Sequence, residues 1–327
     1  MQLEARLRAF AAFARRRSFS GAADELRISQ PAVSKHIAEI EREFGIRLVE
    51  RRRRGCVLTA AGEFFANHVL RAEAILAQAT RGVDELRKPG SGSLGIVASG
   101  ITGTYLLPEV IATFQQTNPG VHVTLELATT AKAVEALRSH RAELGVVGGF
   151  VTAPEIEAEP LVEDEIVVIG PRRLAGRRLS RAELEAVTWV SREEGSATRA
   201  AVEAACANLG IVPSRRLVLP SWEAIKLAVK RGDGIAGCSR FAIAEELRTG
   251  SLGIIPVPRW SVRKMMSIIR VRDAALTPSA QQFLRILRAR WGLMRSRNSR
   301  RKAPTKGDRT NSRLRQTTMR IGSRSPS

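Results

Sequence analysis

Residues 18 to 51 read Ser18-Phe-Ser-Gly-Ala-Ala-Asp-Glu-Leu-Arg-Ile-Ser-Gln-Pro-Ala-Val-Ser-Lys-His-Ile-Ala-Glu-Ile-Glu-Arg-Glu-Phe-Gly-Ile-Arg-Leu-Val-Glu-Arg51, with three more arginines and Leu58-Thr-Ala-Ala-Gly62 close behind. The stretch spells two short helices joined by a tight turn, then a basic hairpin, then a new helix. Ser20 is placed to cap the first helix, Gly21 to Leu26, because its hydroxyl accepts an orphan backbone N–H. Ser29 caps the second, with Pro31 in the first turn, where a missing N–H costs nothing. Val33, Ile37, Ile40 and Phe44 recur at spacings of four, three and four, which turns one helix face towards a core. Gln30, Ser34, Lys35 and Arg42 fall off that stripe. Short polar donors at the front of such a helix reach base edges in a major groove. His36 reads either as a further DNA contact or as a solvated side chain. Arg51 to Arg54 form a basic loop suited to phosphates or a minor groove.

This stretch resembles the winged helix-turn-helix of the LysR-type transcriptional regulators. Ala22-Ala23, Ser29-Gln30-Pro31-Ala32-Val33-Ser34, Gly45-Ile46-Arg47-Leu48 and Leu58-Thr59-x-x-Gly62 stand in family order and spacing. Val49 departs from the pattern, where the family usually carries Phe. The resemblance implies a DNA-facing set of Ser20, Ser29, Gln30, Pro31, Ser34, Lys35, His36, Arg51 and Arg53. It also implies an interrupted palindrome of double-stranded DNA as partner and a homodimer or homotetramer as the working form, and it admits RNA polymerase as a further partner.

The chain has 327 residues, enough for more than one domain, and 44% of them are hydrophobic. No apolar run is long enough for a membrane span, and the charged N-terminus lacks a secretory h-region, so no membrane role is expected. Cys56, Cys206 and Cys238 lie far apart, without metal-ligand spacing, which fits a reducing cytoplasm. No cofactor motif stands out, and Gly145-Val-Val-Gly-Gly149 is not a dinucleotide fingerprint. The formal charge is +21, of which residues 293–327 carry +10, with eleven Lys/Arg against one Asp/Glu. That segment is expected to be a disordered basic tail, either an arm for polyanions or a neutral extension.

The expected organisation is a DNA-binding domain over 1–58, a linker helix over 59–88, a hinge over 89–93 and an effector-binding domain over 94–292. Helix one spans 2–16. In the linker helix Phe65, Val69, Ala72, Leu76, Ala79, Val83 and Leu86 alternate spacings of four and three, a coiled-coil seam. From Leu94 the pattern turns to strands (94–98, 121–127, 144–148, 166–170, 187–191, 215–219, 235–238, 262–271) alternating with helices (104–116, 130–139, 197–209, 221–231, 277–292). That alternation predicts an α/β fold with a largely parallel sheet. The resemblance implies a periplasmic-binding-protein-like (type 2) domain of two Rossmann-like subdomains, one over 94–163 and 266–292, the other over 164–265, with crossovers near 163 and 266.

Open α/β sheets bind ligands beyond the carboxyl ends of their strands. Small hydroxyl residues cluster there: Ser99, Gly100 and Thr102 after the first strand, Thr129 and Thr130 after the second, Gly149 after the third, Ser196, Thr198 and Arg199 after 187–191, and Ser221 after 215–219. Helix N-termini with hydroxyls make anion nests. A small anionic effector of sulfate, phosphate or carboxylate type is therefore expected. Trp222 and Phe150 are candidate floor residues. Arg192-Glu-Glu-Gly-Ser-Ala-Thr-Arg199 resembles the LysR branch that regulates carbon fixation and sulfur assimilation. The rival functions are redox sensing through Cys206, a solute-binding protein on the same fold, and an enzyme fused to a DNA-binding domain. Cys206 has no short-range partner, no signal peptide accompanies the fold, and a cleft of Ser, Thr and Gly offers no acid/base pair.

Overall fold

The computed structural model describes residues 3–52, 55–149 and 151–300, the side chains of Arg51 and of 292–300 excepted. Arg53, Arg54, Phe150 and residues 301–327 lie outside it, and with them most of the expected tail.

The N-terminal unit packs α1 (Ala5–Arg16), α2 (Phe19–Leu26) and α3 (Gln30–Phe44) on one another, followed by the hairpin β1 (Val49–Arg52) and β2 (Gly55–Leu58). The side chain that caps α2 is Ser18, not Ser20. Ser18 accepts from Gly21 N at 3.2 Å, while Ser20 sits exposed in the first turn with its hydroxyl against that of Ser18. The reason is that α2 starts two residues earlier than the Gly21 start assigned from sequence. Ser29 caps α3 by accepting from Ala32 N. Phe10, Phe13, Val33, Ile37, Ile40, Leu48 and Leu58 form the core. Phe44 is half exposed and meets Phe65 edge-on, so it closes the rim of the core, not its centre. The Glu41 carboxylate, from α3, accepts from both Leu48 N and Val49 N at 2.8 and 3.0 Å and fixes where the hairpin departs.

Helix α4 (Ala60–Arg87) begins under the Thr59 cap. The heptad seam divides. Phe65 and Val69 pack into the N-terminal core, whereas Val83 and Leu86 are largely exposed, together with Ile75. Strand β3 (Ser91–Ala98) starts inside the expected hinge, because Ser91 already pairs with Gly120 of β4 (Gly120–Leu127).

The effector part holds β5 (Leu144–Gly148), the long β6 (Ile156–Pro171), β7 (Thr188–Ser191), β8 (Arg215–Val218), β9 (Ala236–Ser239), β10 (Leu252–Ile254) and β11 (Val262–Val271). Its main sheet runs β10-β6-β11-β5-β3-β4, with β9 also on β6. The parallel character is confined to β3 with β4 and β5, to the separate pair β7–β8 and to a single parallel bridge from Trp189 of β7 to Ile235. β6 and β11 are antiparallel to each other and to their other neighbours, because they are the two passages between the subdomains. A register shift at Met266/Ser267, facing Val162 and Pro160, kinks the pair where it crosses. The sequence pattern missed β10 and the first half of β6, whose run of Glu and Pro160 disguises a strand.

The helices of this part are α5 (Leu107–Thr117), α6 (Thr130–Arg138), α7 (Arg181–Ala186), α8 (Ala197–Asn208), α9 (Trp222–Arg231), α10 (Ala244–Thr249) and α11 (Pro278–Arg300). α11 runs eight residues past the 292 end expected for it, so the first part of the supposed tail is helical. Among the described residues no helix is long and apolar enough to cross a membrane.

Gly62 is required sterically: a Cβ there would stand 2.0 Å from the Leu48 carbonyl oxygen. Gly62→Ala should destabilise the N-terminal unit by about 1–3 kcal/mol, the usual cost of forced overpacking. Urea unfolding followed by circular dichroism checks this, and an unchanged midpoint would show that the Leu48 carbonyl can step aside.

Candidate DNA interface and effector cleft

Helix α3 presents Gln30, Pro31 and Lys35 fully to solvent and Ser34 at its flank. All four sit on its first two turns; Pro31 and Lys35 lie opposite the Val33-Ile37-Ile40 stripe, Ser34 at its side, and Gln30 is exposed because it heads the helix. His36 points elsewhere: its Nδ1 lies 3.5 Å from the Glu39 carboxylate and is shielded from solvent. Arg51 is placed on β1, and Arg53 lies outside the described residues. The start of the hairpin is fixed by Glu41 and by the Thr59 hydroxyl, which donates to the Arg47 carbonyl at 2.8 Å.

In the effector part a cavity of about 320 Å³ opens between the two subdomains. Of the residues expected there, Ser99, Gly100, Thr129, Thr130, Ser196 and Thr198 line it. Three helix starts meet at the cavity: the turn at Gly100, α6 and α8. Thr129 accepts from Lys132 N and Ser196 from Arg199 N, each as an N-cap, and the Ser99 hydroxyl accepts from Gly148 N at 3.2 Å. A hydroxyl that accepts a cap bond still has its own proton to donate.

Four expected residues stand apart. Thr102 is fully buried and donates to the Val146 and Ser99 carbonyls, so it fastens β5 to the turn after β3. Gly149 is off the lining; its φ of +106° serves the turn after β5. Ser221 caps α9 from the exposed side, accepting from Ala224 N at 3.1 Å. Arg199 turns away from the cleft and donates to Glu203 at 2.9 Å, because the start of α8 points its side chain towards its own helix surface. Trp222 does reach the cleft, under Arg192, whose guanidinium carbon lies 5.5 Å from the ring centroid.

The residue that sequence reasoning missed is Lys264. Only 9% exposed, it extends from β11 into the cleft wall, and its Nζ lies 3.3 Å from the Thr198 hydroxyl. Gly148 makes room for it: a Cβ at 148 would stand 2.2 Å from the lysine Cε. Across the strands its register partner is Asp164, fully buried. Burial pushes the Asp164 carboxyl up to about 6, against the opposing pull of the Ser239 hydroxyl and Lys264. Burial likewise lowers the Lys264 ammonium, and Asp164 works against that. Ser239 donates to Asp164 Oδ1 at 2.9 Å, while Oδ2 has no hydrogen-bond partner among the described residues. The available signal was parity: Lys264 shares the inward face of its strand with Met266, a strange place for a lone lysine.

With this geometry in place, comparison with known proteins is direct. Residues 5–63 match the family described as "Bacterial regulatory helix-turn-helix protein, lysR family", and residues 87–292 match "LysR substrate binding domain". The chain belongs to the LysR family. It is 36% identical over 285 residues to the RuBisCO operon transcriptional regulator of Allochromatium vinosum, covering 85% of this chain and 92% of that protein. Among solved structures it resembles full-length CbnR complexed with its target DNA (TM-score 0.63, 22% identity, 87% of this chain and 98% of that one). It also resembles the Synechocystis PCC6803 CcmR regulatory domain in complex with 2-PG (TM-score 0.57, 25% identity, 62% of this chain and 98% of that one). As a LysR regulator the chain is a DNA-binding transcription factor with an effector-binding domain, carried on a winged helix-turn-helix, a linker helix and two Rossmann-like subdomains.

The cysteines of this LysR protein fit a quiet role. Cys206 and Cys238 are buried free thiols; burial pushes the Cys206 thiol up to about 11 and raises Cys238 as well. The thiolate is the reactive form. Iodoacetamide at pH 8 should therefore modify Cys56, which is partly exposed, and leave the other two intact until the protein is unfolded. Mass spectrometry of the native protein carrying label on Cys206 would reopen redox sensing.

Proposed function

We propose that this LysR regulator senses a small multiply charged anion in the cleft between its subdomains and passes the result to DNA through α4. The carrying observation is the Lys264 ammonium, buried in a wall that also carries the Ser99, Thr129, Ser196 and Thr198 hydroxyls, with Lys132 and the Arg192–Glu193 pair on the same lining. An ammonium has three donors, and among the described residues the Thr198 hydroxyl is the hydrogen-bond acceptor for one of them. An anion seated against Ser99, Thr129, Ser196 and Lys264 would meet a positive charge and several donors without displacing water from a flexible surface. The 2-PG in the similar CcmR regulatory domain is an anionic occupant of a related domain and supports the same chemistry here. The cleft holds no arrangement that favours turnover over binding, and the chain works as a regulator in the compartment that holds DNA, the cytoplasm.

On the DNA side, Gln30, Ser34 and Lys35 read bases or phosphates, with Ser29 and Pro31 setting the helix start and the Arg51 and Arg53 guanidiniums adding charge for phosphates. Ser20, exposed beside Ser18, is placed for a phosphate contact. The apolar stripe of Ile75, Val83 and Leu86 on α4 seats a second copy, which supplies the twofold symmetry of a palindromic site. The effector shifts DNA binding only as far as it prefers one arrangement of that dimer over another.

Two outcomes test this reading. Gln30→Ala should cost about 1–3 kcal/mol on the specific site and relax one base preference. Equal loss on specific and random duplexes, measured by fluorescence anisotropy, would remove Gln30 as a base reader. Lys264→Met should weaken binding of 2-PG, inorganic phosphate or sulfate about tenfold or more, since a charge-assisted hydrogen bond is lost, and should leave effector-free DNA affinity unchanged. Calorimetric titrations that do not distinguish the mutant from wild type would place the effector elsewhere.

A further inference from the structure

A second cavity, of about 230 Å³, lies in the subdomain of β7 and α8, behind the wall of the effector cleft. Arg192 and Trp222 line both spaces and so form the partition between them. The chemistry of the two is opposite. The cleft is hydroxyl-lined, whereas the second cavity is bounded by Trp189, Val202, Cys206 and Ile211, all buried and apolar. An apolar space of about 150 Å³ already takes up benzene, so this one has room for a single ring and a short chain. Flat aromatic walls favour a flat or branched apolar body.

The mouth is charged, and unevenly. Glu203 accepts from Arg199 Nε at 2.9 Å and from Arg216 Nη1 at 3.1 Å through the same carboxylate oxygen. Two guanidiniums thus share one carboxylate, and one positive charge at the rim is left over. A guanidinium has five donors, and Arg216 spends one of them on Glu203. Glu193 does not supply the missing anion, because its carboxylate is engaged bidentately by Arg192 on the cleft side.

We infer that this cavity is a second effector site, for an amphipathic monocarboxylate whose apolar body lies between Trp189 and Cys206 and whose carboxylate pairs with Arg216 and Arg199 at the mouth. The site is separate from the anion cleft and does not depend on the cleft's ligand. A phosphorylated or multiply charged compound does not fit it: the interior has no donor set for a second charge, and burying an unpaired charge among Trp and Val is strongly unfavourable. The orientation of Arg199 also acquires a reason, since the turn of its side chain away from the cleft brings it to this mouth.

The experiment uses the full-length protein with phenylacetate as probe and phenethyl alcohol as its uncharged counterpart, followed by calorimetry and by tryptophan fluorescence, because Trp189 and Trp222 are cavity walls. Phenylacetate should bind saturably, and the alcohol about tenfold more weakly, for want of the charged hydrogen bond. Arg216→Gln, at a half-exposed side chain, should cost a similar factor. Ala207→Phe, at an exposed position on the cavity lining, should abolish binding by filling the mouth without disturbing the core. Lys264→Met should leave phenylacetate binding intact, which separates this site from the anion cleft whatever that cleft binds. A flat titration into the millimolar range would overturn the inference. So would unchanged affinity in both Arg216→Gln and Ala207→Phe, or loss of phenylacetate binding in Lys264→Met.

Discussion

The antiparallel pairing of Ile156–Pro171 with Val262–Val271 is the constraint on which the effector part depends. These two strands are the covalent routes between the subdomains, and Ile156–Ile166 of the first is paired with the whole of the second. Each half then builds its own sheet outward from them, β5 and β3 on one side, β9 and β10 on the other. Because the same two strands also carry Asp164 and Lys264, the point where the halves meet is the point where charge is buried. A binding cleft at that position follows from the topology, since the subdomains can part only on the face where the crossing strands do not hold them.

Burying a lysine and an aspartate side by side is a weak source of stability. The attraction between them is offset by the loss of water from both, and one Asp164 oxygen has no hydrogen-bond partner among the described residues. Such a pair is better explained by what it does for a ligand. An ammonium held by β11, with its stem in the space left by Gly148, cannot swing out into solvent. It offers a fixed positive charge in a poorly hydrated wall, where electrostatic attraction is stronger than at the surface. In the proposed anion site the hydroxyls around it would supply direction and the lysine charge.

The linker helix is fastened to the effector part at the start of α11. Glu85, buried near the end of α4, accepts from Ser279 N at 2.9 Å, and Glu143 accepts from the Thr277 backbone and hydroxyl. Two carboxylates, one from the linker helix and one from the effector part, thus share a single helix N-terminus, where negative charge is favourable. Gln78 adds a bond to the Ala275 carbonyl and lies 3.1 Å from the His140 ring. The DNA-binding unit is therefore fastened to the same subdomain that contributes Ser99 and Thr129 to the cleft. A change in the angle between subdomains has a mechanical path to the long helix.

The sequence by itself determined the local elements. The helix-turn-helix, the Ser29 and Thr59 caps, the Ser180–Glu183 capping box and most strands of the α/β part are written in residues a few positions apart, where hydrogen bonding and side-chain periodicity act directly. It also placed Ser99, Thr129, Thr130, Ser196 and Thr198 at strand ends, from which a cleft could be inferred. Only the tertiary structure decided which of those side chains face one another. Thr102, Ser221 and Arg199 satisfy the same local rule as their neighbours, yet they turn inward, outward and aside. Lys264 became a site residue because a strand 66 positions beyond Thr198 crosses beneath it. The physical reason is that capping and periodicity are settled within one turn or one pleat, whereas a cavity is settled by where separate strands cross, and that depends on the packing of the whole sheet.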